Sequence, residues 1–349
     1  MFVGGVGLSG AISGRTGDRR LVAGWLFAVC CMIWVMVGIG GFTRETGSGL
    51  SIMNWDPIVG AIPPLTDAAW RRLFVLYQGI PQAQILHPGL QLAGFKVLFW
   101  PEYFHRLWGR MIGTAFFLPL LWFVVTRRVG GRLLAWLAVL FVMGALQGAI
   151  GWFMVSSGFF KGSTAVEPWR LSLHFSFAMV LYILVLWTAL SVRSPQAARY
   201  AGQAGLRVWA AVSAGLLAVT MFAGTFVSGT RAIKAFDPAH GVGVGMPPAG
   251  WPDVAFFSDK AAILFNHQAL AFCTTVAILG TMTKALRGNA PGPLRDTGLA
   301  MAGLVLLQFT LGVTALVSKL LDVGVAHQMN AVLLLSACVV MLHQLRGAR

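Results

Sequence analysis

The chain has 349 residues, 57% of them hydrophobic and only 11% charged, with a mean hydropathy of +0.75. No water-surrounded core of this length needs so much apolar surface, so the composition excludes an ordinary soluble enzyme and places the chain in the membrane class. The formal charge of +15 would suit nucleic-acid binding, but its distribution follows membrane orientation, and nucleic acid is excluded as a partner.

Stretches of about 20 apolar residues, enough to cross roughly 30 Å of hydrocarbon, fall at 21–43, 104–126, 133–155, 171–192, 207–229, 261–283, 297–318 and 325–343. Residues 1–20 form a tail in which Arg15, Arg19 and Arg20 follow a Gly-rich leader. The apolar run after it is of full spanning length, so it reads as a retained first helix and not a cleaved signal. Arg127, Arg128 and Arg132 join the second and third spans; Arg193, Arg199 and Arg207 the fourth and fifth; Lys284, Arg287 and Arg295 the sixth and seventh. Arg346 and Arg349 end the chain. Only Asp18 and Asp296 share that side, so the positive-inside rule puts both termini in the cytoplasm of a bacterial inner membrane.

On the opposite side, residues 44–103 are too long for a simple connector. They carry Trp55, Pro57, Pro63, Pro64 and Trp70, then an amphipathic stretch near Trp70 to Tyr77, and are expected to form a structured cap. The second outer connection, 231–260, is rich in Gly and Pro and reads as flexible. Cys30, Cys31, Cys273 and Cys338 all fall inside spans, where they read as small buried hydrophobes and not as a disulfide framework.

The chain repeats itself. Leu146-Gln147-Gly148-Ala149-Ile150-Gly151 matches Leu307-Gln308-Phe309-Thr310-Leu311-Gly312 at an offset of 161, His105 and His267 are 162 apart, and His174 and His327 are 153 apart. A duplicated four-helix unit divides the chain into 21–200 and 201–349. Each half has an even number of spans, so the repeats are parallel, and the expected fold is all-α: eight transmembrane helices in two pseudo-symmetric four-helix bundles.

The four histidines come early in spans that all run from the outside inwards, so their imidazoles share one depth in the outer half of the membrane. An ionisable side chain in a membrane helix is a functional hypothesis by default. Four matched by repeat and depth point to two pairs of axial haem ligands, one pair in each half. His87 and His240 fall in outer loops and His343 near the inner end of the last span, so they are set aside. Glu102, His105 and Gly109 share one helical face with Gly113 a turn beyond, where glycines would let a flat macrocycle approach the backbone. The position matching Glu102 in the second half is Leu264. One site thus has a carboxylate near the iron and the other has none, which suggests chemistry in the first half and a structural or electron-transferring cofactor in the second. An ion pair of Glu102 with Arg106 is the competing reading of that carboxylate. Arg44, Arg106, Arg110, Arg231 and Lys234 stand near outer helix ends, where they are candidates to neutralise haem propionates or to snorkel to the interface.

Gly40-Gly41-Phe42-Thr43-Arg44-Glu45-Thr46-Gly47-Ser48-Gly49-Leu50-Ser51, Asn54-Trp55-Asp56-Pro57-Ile58-Val59-Gly60, Pro63-Pro64, Glu102-Tyr103-Phe104-His105-Arg106, Leu146-Gln147-Gly148, Asn266-His267-Gln268 and Ala326-His327-Gln328 together resemble the haem A synthase family, closest to its alphaproteobacterial and mitochondrial form. The resemblance covers nearly the whole chain. Some bacterial members carry cysteine pairs in outer loops; this chain has none there, so redox chemistry attributed to those cysteines does not transfer.

The resemblance implies oxidation of the C8 methyl of haem O to the formyl of haem A through a hydroxymethyl intermediate, for cytochrome c oxidase biogenesis. It assigns His105 and His174 to the substrate iron, Glu102 to the oxidation, and His267 and His327 to a haem b cofactor, with the haem sites toward the periplasmic side. A prenylated substrate is expected to enter sideways from lipid. The expected partners are a haem O synthase, oxidase assembly factors, a redox partner and a second copy of the chain. The alternative reading is a dihaem b-type electron-transfer cytochrome, which accounts for the histidines and the duplication but not for Glu102 or the long cap. A transporter with parallel repeats would require broken helices or acidic pairs near the midplane, and no acidic residue lies deep in any span.

Overall fold

A computed structural model describes residues 16–198, 200–252 and 257–348; Arg15, Arg199 and Arg349, used above for orientation, and the tail up to residue 15 lie outside them. Among the described residues ten α-helices run in order: α1 Thr16–Glu45, α2 Asp67–Gln78, α3 Pro81–Leu86, α4 Leu92–Val125, α5 Gly131–Ser156, α6 Pro168–Arg193, α7 Ala204–Gly229, α8 Lys260–Arg287, α9 Gly292–Ser318 and α10 Leu321–Gln344. Eight of these, all but α2 and α3, are long and apolar enough to cross a membrane, so the chain is a multi-pass membrane protein built from helices.

Most spans match the apolar runs to within a few residues, because in hydrocarbon a helix continues for as long as its backbone must satisfy itself. The exception is α4, which begins at Leu92 and not near residue 104. Its 34 residues span about 51 Å at 1.5 Å per residue, well beyond the hydrocarbon thickness, so its first turns stand outside the bilayer. Lys96, Pro101 and Glu102 interrupt the apolar run over 92–103, so the sequence set the span later, while these turns pack against the cap. His105 therefore lies well inside α4 and not at its start.

The outer segment 44–103 contains the two short helices α2 and α3. Thr66 accepts a hydrogen bond from the Ala69 amide at 3.2 Å and starts α2. The apolar face of α2 places Trp70 and Tyr77 against Phe95, Phe99 and Tyr103 of α4, with Trp70 and Phe99 edge to face at 4.8 Å. The fully buried Tyr77 hydroxyl lies 2.7 Å from His87 Nδ1 and donates to Gln82 Oε1 at 3.2 Å, while Gln82 Nε2 donates to the Gly47 carbonyl at 3.0 Å. One network thus ties α2 and α3 to the end of α1. The second connection, read as flexible, is folded back on α8: Gln268 donates to the Gly243 carbonyl at 2.7 Å, and Trp251 to Asn266 at 3.0 Å.

The main apolar core draws on all eight spanning helices. It holds Leu26 of α1, Phe123 of α4, Leu133 and Leu137 of α5, Val185 and Ala189 of α6, Leu206 of α7, Ile278 of α8, Leu294 of α9 and Leu335 of α10. These residues sit toward the ends of the helices remote from the cap, so the inner half of the body is filled and the outer half is free to be hollow. Across the middle, Trp34 of α1 donates to the Met329 carbonyl of α10 at 3.0 Å, and Tyr182 of α6 meets Ser336 of α10 at 2.7 Å. Such bonds are each worth about 0.6–2 kcal/mol in a bilayer. The division into 21–200 and 201–349 is compatible with this arrangement, but the two sets of four helices share one core.

Burial pushes the Tyr77 hydroxyl from 10.0 up to about 12. Because the folded cap holds the proton more tightly than the unfolded chain does, its contribution is complete below pH 10 and is lost as pH rises through about 12. The tyrosinate absorbance difference between wild type and Tyr77→Phe is expected to show that late midpoint. A midpoint near that of free tyrosine would mean that the cap does not enclose this side chain.

Candidate functional site

The four histidines reach one cavity of about 2350 Å³ in the outer half of the body, more than twice the roughly 1,000 Å³ upper range for a pocket holding one drug-sized ligand. His105 comes from α4, His174 from α6, His267 from α8 and His327 from α10, and each imidazole edge is pressed against a glycine of a neighbouring helix. A Cβ built on Gly40 of α1 would lie 3.1 Å from His105 Cε1; on Gly151 of α5, 3.0 Å from His174 Cε1. On Gly224 of α7 it would lie 3.0 Å from His267 Cε1, and on Gly312 of α9, 2.9 Å from His327 Cε1. A side chain at Gly40, Gly151 or Gly224 would crowd the ring it meets by a few tenths of an ångström, and at Gly312 something must shift. Sequence reading missed all four glycines as site residues. Gly151 and Gly312 appeared only as the end of a repeated motif, and their role becomes visible once α6 and α10 are placed beside them.

The rings are also oriented by hydrogen bonds. His267 Nδ1 faces the Thr220 carbonyl at 3.2 Å and His327 Nδ1 faces the Gln308 carbonyl at 3.1 Å. A ring nitrogen opposite a carbonyl must carry the proton, which leaves Nε2 with its lone pair as the ligating atom. The two ring centroids are 6.4 Å apart with planes at 77°. One iron bound axially by both rings, with bonds of about 2 Å, requires a separation of this size. In the first half Gln147 Nε2 lies 3.1 Å from His174 Nδ1 and donates to the His174 carbonyl at 3.1 Å; Gln308 Nε2 lies 3.2 Å from His327 Nδ1 and 3.1 Å from its Nε2, and Asn330 donates to Gln308 Oε1 at 2.7 Å. His105 Nδ1 is buried with no hydrogen-bond partner in the protein, and so is Gln147 Oε1. Among the described residues no group of three or more His, Cys, Asp or Glu gathers as a metal site. A histidine pair supplies only two ligands, so a metal held here fits best inside a macrocycle that brings the others.

Glu102 lines the cavity but is not free: its buried Oε1 accepts from Arg106 Nε at 2.6 Å. The remaining Arg106 donors go to the Ile52 carbonyl at 2.7 Å and the Asn54 carbonyl at 2.7 Å. One turn on, Arg110 donates to the Asp56 carbonyl at 2.6 Å and the Pro57 carbonyl at 2.8 Å. These two arginines therefore hold the outer segment 52–57 over the cavity, a role the sequence gave no sign of. Arg44, Arg231 and Lys234 also line the cavity from its two halves, and Arg44 Nε is buried without a partner. Arg44 and Arg231 are thus better placed than Arg106 or Arg110 to meet an anionic group. Of the histidines set aside, His240 is exposed beside Asp237 at 2.7 Å, which holds that carboxyl below its ordinary range, and His343 is buried against Ser191 at 3.2 Å, away from the cavity.

The chain matches the family described as cytochrome oxidase assembly protein over residues 23–339. It is 46% identical over 345 residues to "Heme A synthase 2" of Acidiphilium cryptum (strain JF-5), covering 95% of this chain and 93% of that protein. It is 45% identical to "Heme A synthase" of Granulibacter bethesdensis (strain ATCC BAA-1260 / CGDNIH1), covering 97% of this chain and 91% of the relative. Identity to "Heme A synthase" of Paramagnetospirillum magneticum (strain ATCC 700264 / AMB-1) is 38%, covering 94% and 95%. No solved structure matches.

Gly312→Val is expected to push the His327 ring out of line and weaken haem binding by the second pair roughly 10–100-fold, the range for disturbing a ligand's immediate support. Absorbance titration with haem measures this; unchanged affinity would show that the glycine contact does not position the ligand.

Proposed function

The chain belongs to the family of cytochrome oxidase assembly proteins, and from that premise we propose that it is a haem A synthase, an oxidoreductase that converts the C8 methyl group of haem O to the formyl group of haem A through a hydroxymethyl intermediate. The observation that carries the division of labour is an asymmetry inside one cavity. Two histidine pairs are matched glycine for glycine, yet Glu102 stands a turn from His105 where Leu264 stands a turn from His267. The half with the carboxylate, His105 and His174, takes the substrate haem. The half with His267 and His327 takes a resident haem b.

The residues at the second pair fit that cofactor: two protonated Nδ1 atoms turned toward carbonyls and a ring separation of 6.4 Å. When bound, a b-type haem supplies one-electron redox chemistry. The protein's part there is to fix both imidazoles and to exclude water with an apolar wall. At the first pair, His105 and His174 hold the substrate's iron and so set its methyl edge relative to Glu102. An ion pair as close as that with Arg106 is made by the ionised carboxylate. As a methyl C–H bond breaks, with the loss of a proton and two electrons to the redox partner, the carboxylate provides negative charge opposite the carbon becoming positive, and it accepts a proton from the water that forms the new C–O bond. Arg106 is tied in turn to Ile52 and Asn54, so the carboxylate is held in place. Arg44 and Arg231 neutralise propionates at the outer mouth, where Arg44 has a buried donor to spare.

The basic connections after α4, α6 and α8 lie at the end opposite the cap, which supports cytoplasmic termini and haem sites toward the periplasmic face of an inner membrane. A haem O synthase, oxidase assembly factors, a redox partner that takes up the electrons, and a second copy of the chain remain the proposed partners.

Co-expression with a haem O source in a host lacking haem A, followed by extraction and mass identification of the haems, tests the reading. The hydroxymethyl and formyl derivatives are expected with wild type and absent with His105→Ala, while Glu102→Ala retains haem b and forms no product. Haem b alone, with haem O present and the protein folded, would instead identify an electron-transfer cytochrome.

A further inference from the structure

We propose that the seam between α4 and α5 is the lateral portal for the substrate and the seat of its isoprenoid chain, and that Gly113, Gly144 and Gly148 determine its width. The inference rests on the assignment of the first half to haem O, which differs from haem b in carrying a long apolar isoprenoid chain.

The seam is a window with two closed ends. At the outer end Trp55, on the segment held by Arg106 and Arg110, stacks on Trp152 of α5 with ring centroids 6.3 Å apart and planes at 12°, and the Arg106 guanidinium lies 5.8 Å from the same Trp152 ring. At the inner end Phe117 of α4 meets Phe141 of α5 at 5.3 Å. From Trp152 to Phe141 the window is about 16 Å tall at 1.5 Å per residue. Between these ends lie Gly113 on α4 and Gly144 and Gly148 on α5. All three line the cavity, and a Cβ built on any of them would meet nothing within 4 Å. The buried, unpartnered His105 Nδ1 and Gln147 Oε1 belong to the same cavity behind the window. Its outward rim is apolar, with Phe117 43% and Leu118 55% exposed on the surface that faces lipid.

The duplication provides an internal control. Gln147 and Gly151 meet His174 as Gln308 and Gly312 meet His327, which fixes the register between α5 and α9. In that register Gly144 corresponds to Val305 and Gly148 to Phe309, and through His105 and His267, Gly113 corresponds to Thr275. Val305 is 2% exposed and part of the core, and α8 packs on α9 more closely than α4 does on α5. The same wall is therefore thickened where a cofactor stays, by Thr275, Val305 and Phe309 lining the cavity, and left bare by glycines where a substrate must come and go. An isoprenoid chain in an apolar slot continuous with the bilayer requires no polar partner and leaves the macrocycle edge free to turn toward Glu102.

The test places the second half's residues in the first, as Gly144→Val with Gly148→Phe on one wall and, independently, Gly113→Thr on the other. The full chain in lipid nanodiscs, loaded with haem b, is titrated with haem O and with iron protoporphyrin IX, which lacks the chain. Haem O affinity and conversion are expected to fall roughly tenfold or more, while protoporphyrin affinity at the first site changes by less than about twofold and the second-site spectrum is unaltered. Leu146→Phe, on the lipid face of α5 outside the cavity lining, is expected to change none of these. Haem O bound and converted as by wild type would overturn the portal, and equal loss of both haems would overturn the isoprenoid seat. A wild-type chain that binds haem O and converts none would sink the proposed activity, and the binding comparison would still decide the portal.

Discussion

Each of the four imidazoles can sit inside a membrane body because a neighbouring helix offers it a glycine. The contact removes the one obstacle to close approach, a Cβ, and lets a ring lie between two helices without forcing them apart. Gly40, Gly151, Gly224 and Gly312 set the depth and lateral position of His105, His174, His267 and His327, and with them the level of the whole site. In hydrocarbon a misplaced imidazole finds no water to compensate it, so the backbone carbonyls of Thr220 and Gln308 complete the arrangement by taking the Nδ1 protons of the second pair.

A site at that level requires the body to be hollow on one side of the bilayer and solid on the other. The solid part is the core shared by all eight spanning helices; the hollow part is the cavity above it. The cap follows from the same division. α4 runs past the membrane surface, Trp70 and Tyr77 pack on its aromatic face, and Arg106 and Arg110 fasten the intervening segment by its carbonyls. Arg106 also pairs with Glu102, so one guanidinium both shares in the closure over the cavity and places the carboxylate. In the second half Gln268 stands where Arg106 does and also holds a loop carbonyl, that of Gly243, but carries no charge and has no acid to hold.

The two halves carry matched histidine–glycine pairs, and a few residue differences make them unequal. Glu102 against Leu264 gives one site a carboxylate. Gly113, Gly144 and Gly148 against Thr275, Val305 and Phe309 leave one wall thin. Both differences fall in the same half, which is the pattern expected if one haem is transformed and the other retained.

The sequence by itself determined the eight helices and placed the four histidines within them, because apolar length reports a span directly and an ionisable residue in such a span stands out against its surroundings. It also located Glu102 and its missing counterpart, since a repeat offset needs only counting. It did not show that Glu102 would be ion-paired, although Arg106 on the next turn made that one of two readings. It offered Arg106 and Arg110 as candidates for propionates or for snorkelling, and gave no sign that their donors reach carbonyls of residues 52–57, about fifty positions earlier in the chain. It started α4 too late, because Lys96, Pro101 and Glu102 break the apolar run, whereas the helix continues through them with Phe95 and Phe99 packed against the cap. Which glycine meets which imidazole, and where two walls fail to close, depend on which helices become neighbours. Long-range packing alone sets that, and no periodicity along a single helix records it.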